Sequence, residues 1–205
     1  MAYTDFKDIY TVFQKYGIKA KTENIFPSRL HKDVPDWFCE NLTFALEIKK
    51  IHESEAFCRE GFIYPFLQEG VKLHRHLNLW SHQLLSCDEE LNGYPDYFIT
   101  ALPYEHAYLV MDKPYVAVVE AKDEKLNEGW GQCLAEMVAC QKLNEPDDIP
   151  VYGIVSTGIL WEFAKLDGNT FLKHRSSYTV EPPELLMGIL DYVLTECEQY
   201  AQKKI

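Results

Sequence analysis

The stretch V116-A-V-V-E-A-K122 restricts the fold of this chain more than any other segment. Its apolar, mostly β-branched run fits a buried strand bounded by polar residues. The run then ends on Glu120 and Lys122, which alternate with Ala121 at strand spacing and therefore share one face. An acid and a base closing a buried strand incur a desolvation cost unless something compensates it.

The surroundings of this strand predict an α/β chain. Thr4 to Tyr16 carries Phe6, Ile9, Tyr10 and Phe13 at helical spacing, with Thr4 as a cap and Gly17 as a stop. Asp36 to Ile51 reads as a second helix. A third begins near Glu53 and runs past Pro65, which is expected to bend or break it. Strands are expected at Leu77 to Cys87, Tyr94 to Leu102 and Tyr115 to Ala121, then a helix from Glu128 to Leu143. Strand patterns return at Val151 to Ser156, Leu160 to Leu166 and Thr170 to Arg175, with Asp167-Gly-Asn as the last turn. A helix from Pro183 to Ala201 closes the chain, with an apolar stripe of Leu185, Leu186, Ile189, Leu190, Val193 and Leu194. Lys19 to Asp36, with two prolines and mixed charge, reads as an exposed connection.

The 205 residues suit one domain, divided as a helical extension over 1–52, a core over 53–175 and a C-terminal helical segment over 176–205. The six cysteines form no C-x-x-C pair, which fits free thiols. No run approaches the roughly 18 apolar residues of a membrane span, and the opening M-A-Y-T-D-F-K-D does not resemble a leader, so the expected setting is cytoplasmic with no membrane partner. A net charge of −12 argues against broad attraction to nucleic acid while leaving room for a local site. Neither a phosphate-binding G-x-x-x-x-G-K-[ST] loop nor a G-x-S-x-G elbow is present. His74, His76 and His82 lack a third ligand at zinc spacing and read as packing or surface residues. Trp130 reads as a core aromatic or as a surface on which a base stacks.

If the second and third strands form an antiparallel hairpin with its tip near Tyr108, the symmetric register sets Asp96 opposite Glu120. Directly paired side chains lie about 5 Å apart, the scale on which two carboxylates hold one Mg²⁺ between them, and Lys122 follows roughly 7 Å along the same face. A divalent cation there would polarise a phosphodiester oxygen and activate a water, with Lys122 orienting the water or offsetting charge in the transition state.

Pro95-Asp96 followed 24 residues later by Glu120-Ala121-Lys122 resembles the P-D…(D/E)-x-K signature of restriction-endonuclease-like nucleases. The wording V-V-E-A-K, then G-W-G-Q, is similar to nuclease modules of type I restriction subunits. The resemblance covers about Glu53 to Leu166 and implies an αβββαβ core: a central mixed sheet flanked by helices, with extra N-terminal helices and a C-terminal helix added here. It also implies an acid on the helix before the meander and a Gln on the helix after it. Glu55 is the first choice for the acid, with Glu60 and Glu53 as alternatives, and Gln132 matches the second position. Some relatives place a Tyr about one helical turn after the Gln; Q132-C-L-A-E-M has none.

The resemblance therefore implies Mg²⁺-dependent phosphodiester hydrolysis, with Mn²⁺ as substitute and DNA favoured over RNA. Asp96, Glu120 and Glu55 would hold metal, and Lys122 and Gln132 would complete the site, in a homodimer or with a partner subunit. The rival readings are an inactive binding or scaffold protein of the same fold, and a metal-dependent enzyme acting on a small phosphorylated molecule. Residue by residue the plain alternatives are a turn aspartate at Asp96 and an edge ion pair at Glu120 and Lys122.

Overall fold

The computed structural model describes residues 3–48, 54–102, 110–122, 126–144 and 149–203. After a 3-10 turn at Tyr3–Asp5 come α1 (Ile9–Tyr16), β1 (Lys19–Glu23), α2 (Asp36–Glu47), α3 (Glu55–Cys58), a π-helical turn (Arg59–Ile63) and α4 (Tyr64–Lys72). They are followed by β2 (Leu77–Ser81), β3 (Leu85–Ser86), β4 (Asn92–Gly93), β5 (Tyr97–Ala101), β6 (Asp112–Ala121) and α5 (Leu126–Asn144). The chain continues through β7 (Val151–Ser156), β8 (Leu160–Asp167), β9 (Thr170–His174), β10 (Tyr178–Thr179) and α6 (Pro183–Gln202).

The central sheet is mixed, in the order β1-β9-β8-β7-β6-β5-β2, with β10 added beside β8. β6 pairs parallel with β7 and β1 parallel with β9; the other pairings in this sheet are antiparallel. Strand alternation divides the side chains of β6 between two cores. Ala117, Val119 and Ala121 meet Phe62, Phe66 and the α6 residues Leu190, Val193 and Leu194, whereas Val118 meets α5, Phe6 and Val12. Helices thus flank the mixed sheet on both faces.

Several boundaries differ from the sequence expectation for definable reasons. Asp8, not Thr4, caps α1: its side chain accepts from the Thr11 amide at 2.9 Å. Lys19–Glu23 is no loose connection but a fully exposed edge strand, so the N-terminal segment is not purely helical. The expected strand from Leu77 to Cys87 is two strands, interrupted where His82 takes a left-handed backbone at φ 51°. Pro65 does not break its helix. It lies in the first turn of α4 behind a widened π turn, in which the Tyr64 amide bonds the Arg59 carbonyl. On α6, Leu185 faces solvent and falls outside the buried stripe. The hairpin tip near Tyr108, Glu53 and the ends of the second and third predicted helices toward each other lie outside the described residues.

Candidate functional site

β5 and β6 fix the position of the first two carboxyls. Tyr97 pairs with Val119, Phe98 with Val118 and Ile99 with Ala117. Continuing that register by one residue sets Asp96 across from Glu120, and the irregularities beyond Ile99 leave this end of the hairpin regular. Asp96 is 6% exposed and Glu120 is 0% exposed. The Asp96 Oδ2 atom accepts from the Ala121 amide at 2.8 Å, which ties the start of β5 to the end of β6. Its Oδ1 accepts from Arg59 Nη1 at 2.6 Å.

Lys122 reaches back along the face of β6 as the alternation predicts, and its Nζ lies 3.1 Å from Glu120 Oε2. Its amide donates to the Ser156 carbonyl at 2.9 Å, carrying the parallel β6–β7 pairing past the formal end of β6. Burial alone would lower the affinity of Lys122 for its proton, but Glu120, Glu55 and Asp96 outweigh it and the net shift is upward. Lys122 is therefore an ammonium at neutral pH.

Glu55 lies in the first turn of α3, behind the Ser54 cap that accepts from the Phe57 amide at 3.1 Å. Its charge acts on both Lys122 and Arg59, which brings it into the field of the site. Glu60 is exposed and acts on Tyr97 instead. Gln132 is half-buried on α5; among the described residues no hydrogen bond joins it to Asp96, Glu120 or Lys122. Trp130 is 1% exposed and donates to Glu162 Oε2 at 2.6 Å, so it belongs to the core and offers no face for a base to stack on. Of the histidines, His74 is a packing residue held by Glu198 Oε2 at 3.0 Å.

The sequence reading missed Glu136, one helical turn beyond Gln132 and 0% exposed. Neither of its carboxyl oxygens, nor Glu120 Oε1, has a hydrogen-bond donor nearby if both groups are ionised. Burial first, and the neighbouring Glu120 second, push the Glu136 carboxyl well above its ordinary range. It therefore holds its proton more tightly than an exposed glutamate and is placed to donate it to Glu120. Burial and the charge of Asp96 raise Glu120 to about 7, against the opposing pull of Lys122 and the Glu136 hydrogen bond. The available signal was an acid inside the apolar run Leu134-Ala-Glu-Met-Val138. Arg59, one turn after Glu55 in A56-F-C-R-E-G61, is a second residue of the site that the spacing of the motif does not point to.

Among the described residues, no group of three or more His, Cys, Asp or Glu side chains has an arrangement that could hold a metal ion as it stands. The donors nevertheless suit a hard divalent cation in kind: they are carboxylate oxygens, and Glu120 Oε1 is buried with no N–H donor. Arg59 would have to release Asp96 Oδ1. The chain matches no protein-family model, and none of the curated proteins matches it.

Proposed function

We propose that this chain is a Mg²⁺-dependent phosphodiesterase with a restriction-endonuclease-like core, acting on DNA in preference to RNA, with Mn²⁺ as a substitute cation. One observation carries the reading: the 0% exposed Glu120 shares the end of a central strand with Lys122 and lies across from Asp96. A structural strand end has no need of two acids and a base drawn together in a dry layer.

Asp96 and Glu120 would hold the cation, with Glu55 as a further ligand. When bound, it would supply Lewis acidity toward a phosphodiester oxygen and toward the attacking water. The protein groups do the rest. Lys122, charged and 3.1 Å from Glu120, orients the water and offsets charge on the phosphorane oxygens. Ala121 anchors Asp96 through its amide, so the distance across the hairpin is held by backbone. Gln132, on the adjoining helix, has a side chain that no described bond commits elsewhere. In this reading a second copy or a partner subunit provides the second cut of a duplex.

The decisive measurement is plasmid cleavage with Mg²⁺. Glu120→Ala and Lys122→Ala are expected to lower it by at least about a hundredfold, with circular dichroism unchanged. Cleavage equal to that of the parent chain in both variants would overturn the reading. The competing reading is a non-catalytic scaffold of the same architecture, favoured by the net charge of −12. Calorimetry separates the two: the enzyme takes up Mg²⁺ or Mn²⁺ at millimolar concentration, and the scaffold takes up neither.

A further inference from the structure

Arg59 lies beside the carboxylates on the π turn that follows α3. Both hydrogen bonds of its side chain fall on one nitrogen: Nη1 is 2.6 Å from Asp96 Oδ1 and 3.2 Å from His82 Nε2. Among the described residues none reaches Nε or Nη2, although a guanidinium carries five N–H donors in a planar fork. The Arg59 side chain keeps 22% of its exposure and that of His82 keeps 55%, so both meet solvent at the edge of the site. His82 holds its left-handed backbone while its amide donates to the Asp96 carbonyl at 3.1 Å. A non-glycine residue in that conformation and a single π turn are both features that concentrate at functional sites.

The charge balance gives this pair a task. Lys122 is occupied by Glu120 at 3.1 Å, whereas Arg59 is partly exposed and has donors that no described residue engages. A chain of net charge −12 repels a phosphate backbone over most of its surface, so recognition of an anion must rest on local donors.

Building on the phosphodiesterase reading, we propose that Arg59, supported by His82, holds the phosphate of the substrate. The guanidinium rests on Asp96 in the unliganded chain and turns its open donors to a non-bridging phosphate oxygen in the complex. Its fork matches the O–P–O geometry, which a lysine ammonium does not. The same movement frees Asp96 Oδ1 to face a cation.

The test uses the whole chain and two readouts: Mn²⁺ binding by electron paramagnetic resonance, and binding of a short labelled DNA duplex in Ca²⁺ by fluorescence anisotropy. Arg59→Gln is expected to weaken duplex binding roughly tenfold or more while Mn²⁺ binding stays equal or tightens. Arg59→Lys recovers part of that loss, and His82→Ala shows a smaller one. Should Arg59→Gln fail to fold by circular dichroism, Arg59→Lys and His82→Ala decide. Folded variants that bind duplex as the parent chain does, while the parent binds Mn²⁺, would overturn this inference alone. A parent chain that binds neither Mn²⁺ nor duplex would overturn the phosphodiesterase reading and this inference together.

Discussion

Glu120 is pulled two ways: burial and the charge of Asp96 favour its neutral form, whereas the Lys122 ammonium at 3.1 Å and the hydrogen bond from Glu136 favour the carboxylate. An unfolded glutamate titrates near its ordinary value of 4.5 and the folded Glu120 near 7. Between those values the folded chain binds more protons, so this residue's contribution to stability falls as pH rises from about 4.5 to about 7 and then levels off. The size is roughly 3 kcal/mol. Denaturant melts of the parent chain and Glu120→Gln at pH 5 and pH 8 should show the variant gaining relative stability at the higher pH. Glu136→Gln, which keeps a donor for Glu120, should stay near parental stability, whereas Glu136→Ala should cost roughly 2–3 kcal/mol in the same melts. At this scale the carboxyl–lysine trio was legible, because strand alternation and a symmetric hairpin place Asp96, Glu120 and Lys122 without any knowledge of packing. Glu136 and Arg59 were not: which face of a helix is dry depends on what docks against it, and neither spacing nor composition records that.

The helices show how little room the site leaves. A Cβ added at Gly129 would lie 2.7 Å from Val155 Cγ1 and 2.9 Å from Lys122 Cγ, so the first turn of α5 sits directly on the lysine stem. One added at Gly131 would meet the Phe6 carbonyl oxygen and lie 2.8 Å from the Asp8 amide nitrogen, which are backbone atoms and cannot turn aside. Gly131→Ala should therefore destabilise more than Gly129→Ala, roughly 3 against 1 kcal/mol in urea melts. On the phosphodiesterase reading, Gly129→Ala should in addition depress cleavage by moving Lys122. The G-W-G wording was visible in the sequence, but its reason, contact on two sides, was not. β1 went unseen because K-A-K-T-E has no buried face and thus no alternation to detect. His82, lacking glycine's usual mark, concealed the break between β2 and β3.

Across the molecule, Glu120 and Lys122 lie at the carboxyl end of the parallel pair β6–β7, where open α/β sheets commonly receive ligands. No helix among the described residues is long and apolar enough to cross a membrane. On the phosphodiesterase reading, Mg²⁺ at ten times its dissociation constant should stabilise the fold by about 1.4 kcal/mol. The thermal midpoint should then rise by about 3–5 °C. Scanning calorimetry with Mg²⁺ and with chelator should show that rise in the parent chain and lose it in Glu120→Ala. The parallel pairing of β1 with β9 has a consequence at the far edge of the same sheet. Lys19 and Lys21 sit on an outermost strand whose residues are all exposed, whereas β9 behind it carries the buried Phe171. Lys19→Val with Lys21→Val would keep β1 paired to β9 while removing the charges that discourage docking at that edge. Light scattering should find the double variant sticking to its own copies where the parent chain does not, which makes these lysines a guard against self-assembly.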